Sequence, residues 1–364
     1  MSVAQIPIHF AHPAATPFLK EVRREVAAVL AARGDSRLAD GRLWLKGVVL
    51  CAVAIAAYAA LLAGVLPAWA CLAAAAVWGI ATLLLAINIG HDAAHDVLSR
   101  QRWVNRLAQH LTFALVGCDA SLWRLRHVRS HHVFPNAAGC DIDIDENPVL
   151  RLSPHHPLRP WQRWQHLYAP LAYALVGLHT TFFGDVAYLR KRELADLRDI
   201  RHPPGRIAAF VLGKAIFLAV TLVIPLTVVD QPWWQVVLGA LVSSAAASLA
   251  FVMLLIGTHF AEEAEFPVLG QDGALPGDWA AHAVRTSVDW SPGSRIAAFL
   301  SGGANCHVAH HLFPNLSHIH YRTVTPVIAA VAARHGLPYR AMRPWDLVRS
   351  HFRLLRRLGR EEAG

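Results

Sequence analysis

Four long apolar stretches constrain this chain more than any other feature of its sequence. They run from about Gly47 to Leu66, from Ala68 to Ile89, from Ile207 to Val229 and from Trp233 to Gly257. Each has about the 20 residues that an α-helix needs to cross a bilayer. Lys214 is the single charged residue within them. The sequence therefore predicts an all-α integral membrane protein with four transmembrane helices.

The breaks between these stretches are short. Pro67 separates the first two, and residues 230–232 separate the last two. Trp69, Trp233 and Trp234 stand beside the breaks, and tryptophan favours the membrane–water interface. We therefore expect two hairpins, 47–89 and 207–257, within a single domain that spans 1–364.

Basic residues indicate the orientation. The chain has 34 Lys and Arg against 25 Asp and Glu, and apart from Lys214 all the basic residues flank the stretches on the side away from the short breaks. Positive charge marks the cytoplasmic side. We expect the termini and the segments 1–46, 90–206 and 258–364 to lie there as a helical cap. The transmembrane stretches and the lack of a recognition motif exclude nucleic-acid binding as the reason for the net charge.

Two other apolar segments are not expected to span the membrane. Leu111 to Val116 is too short. Tyr168 to Leu189 contains His179 and Asp185, and its ends would fall on the same side. Both segments are expected to be interfacial or re-entrant, at the cytoplasmic boundary of the bilayer.

Two amphipathic helices are expected near the termini. Thr16 is a suitable N-cap, Pro17 suits the first turn, and Gly34 suits the C-terminal end of the first helix. Both helices carry apolar stripes that either pack against the cytoplasmic cap or contact anionic lipid headgroups, and the sequence leaves both interpretations open. The stripes are Phe18, Val22, Val26 and Val29 in one helix and Leu347, His351, Leu354, Leu355 and Leu358 in the other.

Histidines cluster just beyond the transmembrane stretches. An i,i+4 spacing places two side chains on one face of a helix, and three clusters show such spacing among 22 histidines. A ninth candidate, His259, follows the fourth stretch on the same side. The clusters are His91 and His95; His127, His131 and His132; and His307, His310 and His311.

These histidines predict a metal centre with more than one ion. Neutral imidazole binds iron, copper, zinc and nickel, and nine imidazoles are more than one ion uses. Catalytic zinc usually keeps three protein ligands and has no redox chemistry, so a dinuclear redox centre that activates O₂ is the favoured interpretation. Spacing alone leaves the metal open. None of the five cysteines forms a C-x-x-C pair.

The pattern H-D-x-x-H, H-x-x-x-H-H and H-x-x-H-H on a chain with four transmembrane stretches resembles the membrane fatty acid desaturase family. His131-His132 followed by Asn136 and the acidic run 141–145, and Gly302-Gly303 before the third cluster, are similar to its acyl-lipid and front-end branch. The similarity covers about residues 17–345. That branch often has Gln at the first position of the third cluster, where this chain has His307.

The resemblance implies a ligand set and a cofactor. By position, two iron ions are bound by the eight clustered histidines together with His259. Asp92 is a candidate carboxylate for orienting a ligand imidazole. We expect the other nearby acids, Asp141, Asp143, Asp145 and Glu262, to lie in solvated loops. Surface positions are expected for His9, His12, His155, His156, His202, His335 and His351.

The resemblance also implies a reaction. An O₂-dependent desaturase introduces a C=C bond into an acyl chain linked to a lipid, CoA or a carrier protein. The alternatives within the superfamily are a hydroxylase and an acetylenase. The sequence has no H-P-G-G haem motif of a fused cytochrome b5 domain, so we expect an external electron donor of the ferredoxin or cytochrome b5 type. A metal transporter is disfavoured because its ionisable residues would lie along the spans.

Overall fold

The computed structural model describes residues 8–12, 16–145 and 147–361, which are mostly helical. The first ten α-helices are α1 (Pro17–Arg33), α2 (Gly41–Leu62), α3 (Ala68–Leu85), α4 (His91–Ala94), α5 (Arg102–Leu115), α6 (Ala120–Arg126), α7 (Ile142–Asp145), α8 (Gln165–Ala174), α9 (Val176–His179) and α10 (Asp185–Arg190). The second half contains α11 (Pro204–Leu218), α12 (Ile224–Val228), α13 (Trp233–Leu255), α14 (Trp279–Arg285), α15 (Arg295–Ser301), α16 (His307–Leu312), α17 (Tyr321–Arg334) and α18 (Pro344–Leu358).

Short π and 3₁₀ segments join several of these helices. The π segments are Ala86–Gly90, His127–His131, Thr180–Gly184 and Ala219–Val223, and the 3₁₀ segments are Pro160–Trp164, Ile256–Thr258, Ala304–Cys306 and His318–His320. The described residues also contain four two-residue strands. These are β1 (His9–Phe10), β2 (Ala274–Leu275), β3 (Asp289–Trp290) and β4 (Ala341–Met342), and β1 pairs with β2 and β3 with β4, both in parallel.

Four helical segments in the described residues are long and apolar enough to cross a membrane. They are Gly41–Leu62, Ala68–Ala94, Pro204–Val228 and Trp233–Thr258, which confirms the expected number of such helices. The hairpin pairing within a bilayer and the side on which the termini lie stay predictions.

The first of these helices differs from its predicted bounds at both ends. It begins at Gly41 because the side chain of Asp40 accepts a hydrogen bond from the backbone of Arg42 and caps it. It ends at Leu62, before Gly64, whose φ of 71° is left-handed. Hydropathy alone misses both signals, because a helix can begin in polar residues outside the apolar stretch.

Helix α3 lies at the centre of the apolar region. It packs along both α2 and α13. A Cβ atom added to Gly79 would lie 2.2 Å from the carbonyl oxygen of Ser243, so only glycine permits this approach of α3 to α13. The end of α3 that carries the first histidine cluster is thereby fixed against the fourth span.

The single charged residue within the apolar stretches predicted from the sequence, Lys214, forms an ion pair. The Nζ atom of Lys214 lies 2.7 Å from Asp185 and also donates to the carbonyl oxygen of Gly117 at 2.6 Å. Asp185 is fully buried and accepts a second hydrogen bond from the backbone of Asp119. This pair joins α11 to α10 and to the loop before α6.

Helices α5 and α8 expose apolar faces. Trp103, Leu107 and Leu111 are exposed on α5 at i,i+4 spacing, and Leu167 and Leu171 are exposed on α8. Helix α8 packs against α13, and α5 packs against the segment that carries the first histidine cluster. An outward apolar face on an element packed against a span fits the interfacial position predicted for these segments.

The structure decides between the two interpretations of the apolar stripes on the terminal helices, which were packing against the protein and contact with lipid headgroups. The caps of α1 are as predicted, with Thr16 before it and Gly34 in a left-handed conformation after it. Its stripe packs into a core formed with α14, α16 and α17. The leucines of α18 are likewise buried, Leu354, Leu355 and Leu358 among them. Both stripes therefore pack against the rest of the protein.

Candidate metal centre

The first histidine cluster lies where α3 changes its winding. The π segment Ala86–Gly90 precedes α4, which begins at His91. The rings of His91 and His95 lie with their centroids 4.8 Å apart. π turns of this kind occur frequently at functional sites.

The second cluster is itself a π segment, His127–His131. The backbone N–H of His132 donates to the carbonyl oxygen of His127, a residue five positions earlier. This wider turn places His132 beside His127, with their Nε2 atoms 3.0 Å apart, while His131 stays on the same side of the segment. The local winding explains how all three histidines contribute to one site.

The third cluster occupies α16 and follows a tight glycine turn. Gly302 and Gly303 have φ values of 60° and 79°. A Cβ atom at Gly302 would lie 2.3 Å from the carbonyl oxygen of Ile87, and one at Gly303 would lie 2.7 Å from the side chain of His318. Glycine at these positions lets the turn pass close to the π segment before the first cluster.

The structure brings all nine sequence-predicted histidines together. We call two groups, in each of which the candidate ligand atoms lie within 4.8 Å of one another, the first and second quartets. His132 forms a third group with His310 of the first quartet and His311 of the second, so it lies between the two quartets. The first quartet is His91, His95, His127 and His310, and the second is His131, His259, His307 and His311.

The ring nitrogens at the centre fit bound cations. His259 donates from Nδ1 to the carbonyl oxygen of Thr286 at 2.8 Å, so its neutral ring presents a lone pair at Nε2. That atom lies 2.8 Å from Nε2 of both His307 and His311. One unprotonated nitrogen cannot donate to two others, whereas a metal ion accepts electron pairs from all three. The donor set of imidazole nitrogens suits iron, copper or zinc.

Burial favours the neutral, metal-binding form of these side chains. It lowers the pKa of His127, His132, His259, His310 and His311 well below the ordinary range, and positive charge on neighbouring imidazoles would lower it further. Burial is also the main cause that lowers the pKa of His307 to about 3. A neutral imidazole is the form that binds metal ions.

His131 has a carboxylate partner that the sequence interpretation misplaced. Burial alone lowers the pKa of His131, but the charge of Asp141 and its hydrogen bond raise it to about 9. Nδ1 of His131 donates to Asp141 at 3.1 Å, and Asp141 is fully buried. The expectation that Asp141 lies in a solvated loop is therefore wrong. Backbone N–H groups of Asn136 and Asp143 stabilise the buried carboxylate.

Asp92 makes its hydrogen bonds to residues outside the three histidine clusters. It is buried, but it lies 3.9 Å from Nδ1 of His91, which is too long for a hydrogen bond. Instead it accepts from Ser317 at 2.5 Å and from Nδ1 of His318 at 2.9 Å. Asp92 thus joins the first cluster to the segment after the third.

Other residues that hold the site had only weak signals in the sequence. Asn136 has a φ of 60° and donates from its side chain to the carbonyl oxygen of His259 at 3.0 Å. The hydroxyl of Tyr321 lies 3.4 Å from Nδ1 of His310. Trp123 stacks on His127 with ring centroids 4.3 Å apart. Asn136 follows the second cluster closely, but no local pattern assigns any of these contacts.

One histidine expected at the surface lies inside the protein, and four others are half-buried, namely His155, His156, His202 and His335. His351 is buried, donating from Nδ1 to the carbonyl oxygen of Phe260 and accepting from the hydroxyl of Tyr173. His155 is half-buried, with Nε2 at 2.9 Å from the carbonyl oxygen of Phe266. Polar neighbours in the sequence predict the burial of these side chains poorly, because tertiary packing determines which side chains are buried.

The two quartets differ in exposure. Every member of the second quartet is buried, whereas His91, His95 and His127 of the first are half-buried. The candidate centre therefore opens on the side of the first quartet.

Comparisons with known proteins agree with this geometry. A family model described as fatty acid desaturase matches residues 65–343. The chain is 32% identical over 324 residues to the sn-1 linoleoyl-lipid 6-desaturase of Arthrospira platensis, covering 88% of this chain and 87% of that protein. It is 26% identical to the protein of the same name in Synechocystis sp., covering 94% and 96% of the two chains. The acyl-lipid (8-3)-desaturase of Physcomitrium patens is 28% identical over 79% of this chain and 60% of its own.

Proposed function

This chain belongs to the fatty acid desaturase family and is an oxidoreductase, and from that premise we propose that it is an O₂-dependent diiron desaturase of membrane-lipid acyl chains. The observation that carries the proposal is the convergence of nine histidines at the end of helices long enough to span a bilayer. Neither feature alone would specify this chemistry.

In this proposal the nine histidines hold two iron ions, which supply the redox capacity to activate O₂ when bound. The first quartet holds one ion and the second quartet holds the other, with His132 between them. The protein keeps most of the imidazoles neutral by burial and fixes the orientation of two of them by hydrogen bonds. It does so through Thr286 for His259 and Asp141 for His131.

The half-buried first quartet is the side from which we expect the acyl chain to approach. Trp123 covers one face of His127 there and also meets Phe113, with ring centroids 4.9 Å apart. Apolar side chains beside the ring nitrogens suit a methylene chain and exclude water. Holding two adjacent methylene carbons at this position determines which bond becomes the double bond.

The balance of electrons requires a donor. Removing two hydrogens from the acyl chain yields two electrons, whereas reducing O₂ to two waters takes four. An external donor of the ferredoxin or cytochrome b5 type supplies the other two, together with two protons from solvent. The positive-inside charge pattern supports a cytoplasmic position for the centre, where such donors are found.

The names of the relatives support a lipid-linked substrate. Two of them are described as linoleoyl-lipid desaturases and a third as an acyl-lipid desaturase. We therefore favour an acyl chain on a membrane lipid over one on CoA or a carrier protein.

The test is to express the chain with a ferredoxin system and profile total acyl chains by mass spectrometry, with and without oxygen. The expected product is lighter by about two mass units, depends on oxygen, and is absent with His310→Ala. A product heavier by about sixteen mass units would identify a hydroxylase instead. If the desaturated product appears on CoA or a carrier protein before it appears on lipid, the proposal of a lipid-linked substrate is wrong.

A further inference from the structure

The outer face of α18 forms a groove that the proposed reaction does not use. The leucines on its inner face pack into the protein, and the groove lies on its other side. The groove has a volume of about 490 Å³. It is lined by His166, Trp345, Val348, Arg349, Phe352, Arg353 and Arg356.

The groove combines apolar walls with a basic rim. Val348 and Phe352 are half-buried, and Trp345 is 63% exposed. Arg349 and Arg353 form exposed ion pairs with Asp346 at 3.8 Å and Glu262 at 2.7 Å. Exposed pairs of this kind contribute little, so a stronger anion can compete for both arginines.

Two further observations concern His166 at the side of the groove. Its Nδ1 atom is buried and makes no hydrogen bond to any described residue. Burial lowers the pKa of this histidine, and the nearby charges of Arg356 and Arg360 lower it further. The positive charges of Arg356 and Arg360 therefore lie near His166, which has an unsatisfied ring nitrogen.

The helix that carries the groove also lies beside the end of the fourth span. Helix α18 packs against Ile256–Thr258, where the fourth span ends, and Leu347 contacts Gly257 so closely that an added Cβ would lie 2.5 Å away. It also packs against α8, whose exposed leucines continue the apolar surface of the spans. Exposed Trp161 and Trp164 precede α8, and tryptophan marks the headgroup level.

We propose that this groove binds an anionic phospholipid. The phosphate lies among Arg349, Arg353 and Arg356, and the start of an acyl chain lies against Val348 and Phe352. An acidic protein would match the charge equally well. The apolar lining and the position beside the end of a span favour a lipid, whose headgroup and acyl chain match both parts of the groove.

The test is a lipid titration of the full chain in detergent, read by native mass spectrometry. Phosphatidylglycerol is the probe, and phosphatidylcholine is the matched neutral lipid. The triple variant R349Q/R353Q/R356Q should lose affinity for phosphatidylglycerol by at least about tenfold, given the attraction of each basic residue for an anionic headgroup. R356Q alone leaves the ion pairs of Arg349 and Arg353 intact, so the protein should stay folded. Its affinity for phosphatidylglycerol should fall by less than that of the triple variant.

The control removes three exposed arginines elsewhere, in R23Q/R24Q/R322Q. Equal losses of phosphatidylglycerol in both triple variants would overturn the proposal, because only overall charge would then matter. Displacement of the lipid by equal concentrations of glycerol phosphate would show a site for free phosphate instead. Loss of ferredoxin binding in R349Q/R353Q/R356Q, with lipid binding unchanged, would assign the groove to an acidic protein.

Discussion

The inward orientation of the central histidines depends on bonds made by their outer ring nitrogens. His259 donates to the carbonyl oxygen of Thr286, and His131 donates to the carboxylate of Asp141. Each bond fixes the proton on Nδ1 and leaves Nε2 to face the centre. Such partners raise the basicity of a ligand imidazole as well as orienting it.

Removing one histidine from either quartet should remove activity and metal together. In His131→Ala or His310→Ala we expect turnover to fall below detection and the iron content per chain to drop, because each supplies an inward nitrogen. Iron is measured by plasma mass spectrometry on the purified protein. His12→Ala changes an exposed histidine and should match the wild type. Full activity in His310→Ala would refute the ligand assignment.

Replacing the carboxylate behind His131 should weaken metal binding without removing a ligand. Asp141→Asn keeps the side-chain size but removes the charge, and we expect a loss of about 10- to 100-fold in metal affinity. Competition with a chelator measures this. Asp143→Asn is the matched control, since Asp143 is partly exposed and lies 3.6 Å from His131. Equal effects of the two substitutions would contradict a specific role for Asp141.

At this scale the sequence predicts eight of the nine histidines because helical spacing is a local property, and it predicts His259 from its position after the fourth apolar stretch. It does not predict that Asp141 is buried or that Asp92 faces His318. An acidic run looks solvated until the fold places His131 against it. The partners of the metal-binding candidates are long-range contacts, and spacing carries no information about them.

At the scale of elements, the buried ion pair between α11 and α10 explains how the one charged residue of the predicted apolar stretches is accommodated. Lys214 and Asp185 form an ion pair at 2.7 Å, Asp185 also accepts from the backbone N–H of Asp119, and Lys214 also donates to the carbonyl oxygen of Gly117. A hydropathy profile predicts the span around Lys214 but not its partner. Asp185 belongs to a segment that the sequence places only at the membrane boundary.

Breaking this pair should destabilise the protein more than removing it. Lys214→Met leaves Asp185 buried without a counter-charge, at a cost of about 3–5 kcal/mol. The double variant Lys214→Met/Asp185→Asn should recover most of that loss, because the amide oxygen still accepts from the backbone of Asp119. Unfolding in detergent, followed by circular dichroism, measures both. A double variant less stable than the single one would contradict this account.

The attachment of α18 should depend on pH through His351. Burial lowers the pKa of His351 to about 4, although its bond to Phe260 opposes the change. Below its ordinary value of 6.5 the unfolded chain binds a proton that the folded chain does not, so stability falls as the pH falls. The loss attributable to this group between pH 6.5 and about pH 5 is on the order of 2 kcal/mol.

His351→Gln should reduce this pH dependence, because glutamine does not titrate. The comparison is the difference in unfolding free energy between about pH 7 and pH 5 for the variant and the wild type. His12→Gln is the control and should behave as the wild type does. An unchanged pH dependence in His351→Gln would show that His351 titrates normally.

At the scale of the whole molecule, the apolar spans deliver separate histidine clusters to one site. The close packing of α3 on α13 aligns the ends that carry the first cluster and His259. The sequence predicts the four spans and their order from the lengths of its apolar stretches. It leaves the fate of the terminal stripes open, because burial of α1 and α18 depends on partners far away in the chain.

The central claim is that a dinuclear centre removes two hydrogens from an acyl chain. The most direct measurement is a single turnover: protein loaded with ferrous iron is mixed with acyl lipid without oxygen, then exposed to O₂ with no other reductant. Two ferrous ions provide the two electrons that the substrate does not. The account predicts at most one new double bond for every two iron ions bound. More than one double bond per two ions, or a product that has gained oxygen, would contradict it.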